Sequence, residues 1–170
     1  MVVDAFLAND EWDFVRFRCE YLGSLVDKFY IGESAVTFSG ISKGNFFRDR
    51  VGELRDTGHD IEVIDLDIPR DLLKSGDRWA VETHARNQLL QTVCEMHSQD
   101  LVLFSDADEV PSRDQIKRLI DGGERIRISS IPTQVCSRKA NWIEYEPEEW
   151  DGKWGNGLIG KNWVPRIRRG

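Results

Sequence analysis

The sequence contains few of the residues that build zinc sites and disulfide frameworks. It has three cysteines and three histidines in 170 residues, and none of them is spaced as in a zinc site. An odd number of cysteines without such spacing indicates free thiols in a reducing compartment. The residues concerned are Cys19, Cys94, Cys136, His59, His84 and His97.

An excess of basic charge and long apolar runs are also lacking. The net charge of −7 and the pI of about 5.0 argue against a general nucleic-acid binder, but a local basic patch could still bind an anionic ligand. No apolar run approaches the length of a membrane-spanning helix. The N-terminus shows neither a basic leader nor a cleavage site. We therefore expect a cytoplasmic protein without a membrane span.

No P-loop, G-x-G-x-x-G motif or nucleophile elbow is found. What is present is a chain with 40% hydrophobic and 31% charged residues, which is long enough for one domain with a proper core. Strand patterns alternate with helix patterns along it. This order predicts an α/β fold with a mostly parallel sheet and helices on both faces.

The predicted elements follow from apolar runs, helical periodicity and turn residues. We expect Asn9 or Asp10 to cap the first helix and Asp77 to cap the longest one. Residues 35–45 are expected to form a loop. The predicted strands are 2–8, 28–33, 61–69, 101–104 and 125–132, and the helices between them include 46–58 and 78–98.

The stretch "LVLFSDADEVPS", residues 101–112, ends an apolar strand in three carboxylates. Asp106 and Asp108 repel each other unless a cation compensates their charge, and Glu109 adds to that repulsion. Oxygen-only ligands of this kind suit Mg²⁺ or Mn²⁺. The alternative is a solvated acidic turn that opens the next helix. The motif alone leaves both interpretations open.

Position in the sheet favours a site. Glu33 and the acidic stretch after residue 104 both follow strands, and ligands of open α/β sheets bind beyond the carboxyl ends of the strands. A second D-x-D, Asp65 to Asp67, is interpreted as a solvated strand end. Glu82 and Arg86 are either a surface i, i+4 pair or a pair whose arginine is directed at an anionic ligand or at the carboxylates.

The stretch "VLFSDADEV" also fits the motif of haloacid-dehalogenase-type phosphohydrolases, in which the first aspartate is the nucleophile. Those enzymes place this strand near the start of the domain and need a later lysine and acidic pair. Only 61 residues follow Glu109 here, and they contain no adjacent aspartates. This interpretation remains a distant alternative.

Three stretches carry a resemblance to a known family: the N-terminal "VVDAFLANDEWDFVRFRCEYLGSLVDKFYIGESAVTFSGISKGNFF", then "WAVETHARN", then "SDADEVPSRD". They resemble glycosyltransferase family 17, the family of the β-1,4-mannosyl-glycoprotein β-1,4-N-acetylglucosaminyltransferases. The resemblance covers about residues 2 to 123. The matching positions are Asp4, Phe6, Glu11, Arg18, Leu22, Val26, Asp27, Phe29, Glu33, Ser34, Thr37, Gly40 and Asp106 to Pro111.

This resemblance implies a GT-A fold and inverting transfer of a sugar, N-acetylglucosamine being favoured, from a UDP-sugar to a glycan or other hydroxyl acceptor. It also implies Mn²⁺ or Mg²⁺ at the D-x-D motif. Asp108 would bind the ion directly, and Asp106 would support it or reach the ribose.

Further positions receive roles from the same resemblance. Glu33 would hold the nucleoside, Lys43 and Arg86 would neutralise the diphosphate, and Phe6 and Ser34 would belong to the donor-binding set. Glu109 is the first candidate for the general base that takes the acceptor's proton. The other candidates for the base are Glu148, Glu149 and Asp151.

The chain departs from the family after the nucleotide-binding part. Family members continue further, with a C-terminal segment rich in histidine and tryptophan, whereas no histidine follows His97 here. We expect one domain over residues 1–170, with a covering segment at about 133–170 on the acceptor side. Either part of the protein is missing, or the family's segment is replaced by the arginines near the end together with Trp142, Trp150, Trp154 and Trp163.

Lack of an anchor favours a soluble bacterial or viral enzyme over a Golgi one. The rival functional class is a catalytically degenerate GT-A domain that binds sugar nucleotide or serves assembly. The sequence does not identify the acceptor.

Overall fold

A computed structural model describes residues 1–97 and 100–121 in full, together with the backbone of residues 128–135 and 161–165. Within these ranges, helices and strands alternate up to the fourth strand. The strands are β1 (Val2–Leu7), β2 (Lys28–Glu33), β3 (Ile61–Asp65), β4 (Leu101–Asp106), β5 (Glu109–Pro111), β6 (Ile128–Val135) and β7 (Lys161–Pro165). The α-helices are α1 (Trp12–Leu22), α2 (Val51–Arg55), α3 (Arg70–Lys74), α4 (Arg78–Met96) and α5 (Arg113–Asp121).

All these strands belong to one sheet with the order β3-β2-β1-β4-β7-β6-β5. The first four strands in this order are parallel, and β7, β6 and β5 continue the sheet with antiparallel pairings. The parallel part confirms the predicted α/β class and agrees with a GT-A arrangement. β1 lies in the middle of this part, paired with β2 on one side and β4 on the other.

The sheet is covered on both faces because successive side chains of a strand point to opposite sides. From β1, Val2 and Phe6 join a core with α1, α2 and α5, whereas Val3, Ala5 and Leu7 join a second core with α4. Every residue of β1 is buried. Helices on both faces therefore fix the central strand and, with it, the position of its carboxyl end.

The predicted cap of the first helix is wrong. The residue that caps α1 is Glu11, not Asn9 or Asp10, and it makes no side-chain bond to the helix. Its carboxylate instead accepts the backbone N–H groups of Asn9 and Asp10 at 2.7 and 3.2 Å. The loop after β1 thus turns back on itself before the helix begins.

Other elements differ in length. The helix predicted over residues 46–58 is a short 3₁₀ turn, Arg48–Arg50, followed by the five residues of α2. β3 ends at Asp65 rather than at residue 69, and α3 follows it as a helix that the sequence did not predict. Asp77 caps α4 as expected, because its side chain accepts the N–H of Ala80 at 3.0 Å.

Cys19 and Cys94 are free and buried, which confirms the expected free thiols for the cysteines that the structure describes. Burial raises the pKa of Cys19 to about 12, so this thiol stays protonated and unreactive. Cys136 lies outside the described residues. Among the helices of the described ranges, none has the length and apolar character needed to cross a lipid bilayer.

Candidate active site

A cleft of about 630 Å³ opens at the carboxyl ends of β1, β2 and β4. The chain leaves β1 for β2 on one side, whereas β4 returns to the other side of β1, so the strand order reverses here. Open α/β sheets bind their ligands at such a reversal, and the volume suits a small-molecule ligand. The cleft is lined by residues 7–9, 11, 32, 34, 36–39, 43, 66, 78, 79, 82 and 106–108.

The Asp106–Glu109 turn connects β4 to β5 at this reversal. Asp106 and Asp108 both line the cleft and are half-buried. Ala107 between them is buried, and its N–H donates to the carbonyl of Leu7 at 3.1 Å. The turn is thereby joined to the end of β1, and the prediction that the acidic residues lie at a strand's carboxyl end is confirmed.

Arg86 brings positive charge to this turn from α4. Its Nη2 lies 2.5 Å from Asp106 Oδ2, and the same guanidinium pairs with Glu82 at 2.9 Å. Burial opposes the charge on Arg86, but Asp106 and Glu82 outweigh it and raise the pKa of Arg86 above its usual value. The i, i+4 pair is thus present but half-buried rather than on the surface, and its arginine also contacts a carboxylate of the D-x-D motif.

The negative charge of Asp108 is disfavoured by its surroundings. Burial raises the pKa of Asp108 above its usual value, and the charges of Asp106 and Glu11 add to that rise. A divalent cation would relieve this cost, and two carboxylates offer the oxygen ligands that Mg²⁺ and Mn²⁺ prefer. The residues present therefore fit such an ion.

Within the described ranges, no group of three or more His, Cys, Asp or Glu side chains could hold a metal on its own. Ions of the Mg²⁺ type are commonly held by one or two carboxylates together with substrate phosphates and water. The metal identity stays a prediction.

Glu109 is buried, with 6% of its surface exposed. Its Oε2 lies 3.4 Å from the N–H of Asp106, which donates to it, and the side chain is not part of the cleft lining. The carboxylate thus lies behind the turn rather than in the cleft. Its assignment as the general base stays a prediction.

Glu33 ends β2 with a carboxylate that is 1% exposed. It accepts the N–H of Phe47 at 2.9 and 3.1 Å and that of Arg48 at 3.0 Å, and Lys43 Nζ lies 3.6 Å away. Both oxygens are therefore engaged by the chain's own segment 43–48. The predicted contact with a nucleoside stays a prediction, and the structure gives Glu33 the role of holding this segment.

The other predicted donor-binding residues differ in position. Ser34 and Lys43 line the cleft, and Lys43 Nζ donates to the carbonyl of Asn9 at 2.7 Å. Ser34 Oγ accepts the N–H of Val36 at 3.2 Å. Phe6 is fully buried in the core below the cleft rather than in its lining.

Two exposed aromatic side chains in the cleft wall were not assigned from the sequence. Trp79, in the first turn of α4, is 67% exposed, and Phe38, in the loop after β2, is 37% exposed. A signal for Trp79 did exist, because its spacing to Glu82 and Arg86 puts the three on one helix face. Phe38 lay in a loop without periodicity.

The second D-x-D is a surface feature, as interpreted. Asp65 and Asp67 are exposed, and Asp65 pairs with Arg48 at 2.7 Å. The remaining base candidates Glu148, Glu149 and Asp151 lie outside the described residues, as does most of the covering segment. The side chains of Trp142, Trp150, Trp154 and Trp163 are likewise not described.

Comparison with known proteins decides the family. The sequence model of glycosyltransferase family 17 matches residues 1–127, about three-quarters of the chain. This chain belongs to glycosyltransferase family 17. The matched region includes the cleft, the Asp106–Glu109 turn and Arg86, and the family assignment displaces the haloacid-dehalogenase alternative.

Three curated relatives carry the same name, β-1,4-mannosyl-glycoprotein 4-β-N-acetylglucosaminyltransferase. The human and rat proteins are each 29% identical to this chain over 130 residues, and the mouse protein is 28% identical over the same length. The alignment covers 71% of this chain but only 24% of each relative. No solved structure matches the chain.

Proposed function

We propose that this family 17 protein is a metal-dependent inverting glycosyltransferase. Its donor is a UDP-sugar, with UDP-N-acetylglucosamine favoured by the names of its relatives. Its acceptor is a hydroxyl group of a glycan or a similar molecule. The observation that carries the proposal is the pair Asp106 and Asp108 in a cleft at the strand-order reversal, with Arg86 beside them.

Asp106 and Asp108 would hold Mn²⁺ or Mg²⁺ in this cleft. Bound there, the ion would stabilise negative charge on the oxygens of the departing diphosphate. Asp108 suits direct coordination because its charge is unfavourable in the free protein and has no ion-pair partner among the described lysines and arginines. Asp106 is already paired with Arg86, which supports an assisting role for it.

Cationic side chains in and beside the cleft would bind the rest of the diphosphate charge. Lys43 lines the cleft, whereas Arg86 is not part of the lining and lies against Asp106. Arg86 keeps its positive charge at all relevant pH values, because its neighbouring carboxylates stabilise it. Lys43 brings a second cation from the cleft lining. Trp79 and Phe38 offer exposed aromatic faces on which a base or sugar ring can pack.

In the transfer step the acceptor oxygen forms a bond to the anomeric carbon, while the bond from that carbon to the diphosphate oxygen breaks. The acceptor's proton passes to a carboxylate base, and the diphosphate leaves as UDP. Such a base must lie within hydrogen-bond reach of the acceptor hydroxyl. Glu109 is the candidate within the described residues, although its carboxylate is buried and outside the cleft lining. Glu148, Glu149 and Asp151 are the others.

The test is incubation of the protein with a panel of UDP-sugars and Mn²⁺, followed by mass spectrometry of the products. Glycosyltransferases release sugar slowly to water when no acceptor is present, so we expect UDP and free N-acetylglucosamine from UDP-N-acetylglucosamine. Chelation of the metal and the substitution Asp108→Asn should each abolish release. Asp67→Asn, in the surface D-x-D, is the matched control and should leave it unchanged.

A different outcome would favour the rival class. Tight, metal-dependent UDP binding without hydrolysis, and without transfer to any member of an acceptor panel, would indicate a sugar-nucleotide-binding domain. Absence of UDP binding by the wild-type protein would contradict both.

A further inference from the structure

A fully buried ion pair lies directly beneath the Asp106–Glu109 turn. Arg18 of α1 and Asp4 of β1 both have 0% side-chain exposure. Arg18 Nε donates to Asp4 Oδ2 at 2.7 Å, and Nη2 donates to Asp4 Oδ1 at 2.8 Å. Removing two charges from water costs more than most buried pairs regain, so stability alone is a weak reason to keep one.

The other donors of Arg18 reach the turn and Ser105, the residue before it. Nη1 donates to the carbonyls of Asp106 and Glu109 at 2.6 and 3.0 Å, and Nη2 donates to Ser105 Oγ at 2.7 Å. An arginine has five N–H donors in a fixed plane. Two bind Asp4, two bind carbonyls of the turn and one binds Ser105 just before it, so each donor has its acceptor.

These contacts hold the turn on both sides of Asp108. The bound carbonyls belong to the residues at positions 106 and 109, and Ser105 Oγ also donates to the carbonyl of Glu109 at 3.1 Å. The guanidinium lies over the ring of Phe6, with 4.5 Å between Arg18 Cζ and the centre of the ring. Carbonyls of the turn thus face the interior, while Asp106 and Asp108 line the cleft.

We propose that Arg18, oriented by Asp4, is a positioning residue that pre-organises the Asp106–Glu109 turn for a divalent cation with a nucleoside diphosphate. This inference rests on the proposed function of the cleft. A ligand gains affinity when the groups that bind it are already ordered, because the cost of ordering them is not subtracted from binding. Two like-charged carboxylates on an unsupported turn would separate.

The geometry also explains why an arginine is needed. A lysine would keep the positive charge next to Asp4, but it has three donors at a single point and cannot span the carbonyls of Asp106 and Glu109. Arg18→Lys therefore removes the hydrogen bonds to the carbonyls of Asp106 and Glu109 while it retains the positive charge. Ser105→Ala removes the hydrogen bonds of Ser105 Oγ with Arg18 and with the carbonyl of Glu109, and it leaves the Arg18–Asp4 pair intact.

The first measurement needs no ligand. Amide hydrogen exchange of residues 106–109 is compared between the wild type, Arg18→Lys, Ser105→Ala and a control with similarly lowered stability. Leu54→Ala serves as the control, because Leu54 is buried in α2 outside the cleft lining. We expect exchange in the turn to rise at least tenfold in Arg18→Lys and less in Ser105→Ala, but not in Leu54→Ala.

The second measurement is calorimetric titration with Mn²⁺ and UDP at a temperature at which all variants are folded. We expect Arg18→Lys to bind UDP with Mn²⁺ at least tenfold more weakly and to lose most of the dependence of UDP affinity on Mn²⁺. Ser105→Ala should lose affinity in the same direction by a smaller factor. Leu54→Ala should bind as the wild type does.

Wild-type affinity and wild-type exchange in Arg18→Lys would overturn the inference, as would equal losses in Leu54→Ala. If Arg18→Lys does not fold, Ser105→Ala decides, and unchanged exchange and affinity in that variant would overturn the inference. A wild-type protein that binds neither Mn²⁺ nor UDP would overturn the proposed function. The exchange comparison would then still decide whether Arg18 orders the turn.

Discussion

Two D-x-D sequences end parallel strands of the same sheet, yet their surroundings differ. Asp106 ends β4 beside the central strand, whereas Asp65 ends β3 at the edge. Each forms a short ion pair with an arginine, at 2.5 Å for Asp106 and 2.7 Å for Asp65. The pairing distance alone therefore does not distinguish a candidate site from a surface feature.

What differs is which residues face the cleft. In the β4 sequence both aspartates line the cleft together with Ala107, whereas in the β3 sequence only the middle residue, Leu66, lines it. Asp65 and Asp67 are exposed to solvent instead. A carboxylate held in a partly buried cleft needs compensation by a cation, while one in water is solvated already.

The largest effect should come from neutralising the second aspartate of the β4 D-x-D, compared with the same change in the β3 D-x-D. Asp108→Asn should abolish the stabilisation by UDP and Mn²⁺, because it removes the carboxylate without a cationic partner. At a ligand concentration of about 100 times Kd, the wild type should gain about 2.7 kcal/mol, or roughly 5 to 10 °C in melting temperature. Asp67→Asn should keep that gain. Equal gains in both variants would contradict the assignment of the metal site.

Glu33 ends β2, which lies between β3 and β4 in the sheet, and it holds segment 43–48. Its substitution tests how much this contact stabilises the protein. Glu33→Gln should lower the free energy of unfolding by about 2 kcal/mol, because a buried carboxylate that accepts three N–H contacts loses its charge and gains a donor. Urea denaturation measures this loss. Glu62→Gln, in a half-exposed pair with Lys28, should cost less than about 1 kcal/mol. Unchanged stability of Glu33→Gln with weakened UDP binding would instead support a nucleoside contact.

Glu109→Gln tests whether the Glu109 carboxylate supports Asp106 and Asp108 through its hydrogen bond with the N–H of Asp106. We expect UDP affinity in Mn²⁺ and turnover to fall together by about tenfold, or 1.4 kcal/mol, because Glu109 accepts the N–H of Asp106 from behind the turn. Isothermal titration and steady-state kinetics measure the two quantities. Turnover that falls roughly a hundredfold at wild-type UDP affinity would identify Glu109 as the base.

The smallest effect should follow a change in the β3 pair. Asp65→Asn removes an ion pair with Arg48 in which both side chains are about half exposed. The expected loss of stability is below about 1 kcal/mol, with UDP affinity unchanged. Thermal unfolding and the UDP titration check both. A loss of UDP affinity would show that the edge pair contributes to the cleft.

Much of this architecture follows from local pattern. The four parallel strands, the long helix α4 and the position of Asp106 at a strand end were predicted from apolar runs, helical spacing and the Asp77 cap. These features depend on nearest neighbours in sequence, and the strand alternation then restricts the topology. The short helices α2 and α3 were not predicted correctly, because five residues are too few to show helical periodicity.

The sequence by itself determined the fold class, the family and the candidate metal residues Asp106 and Asp108. Tertiary structure alone decided that Glu33 binds its own chain, that Glu109 lies behind the turn, and that Arg18 reaches across 88 positions to the carbonyl of Asp106. The reason is physical. Side-chain periodicity records burial along one element, whereas a hydrogen bond between elements depends on how separate segments pack, and no local pattern encodes that partner.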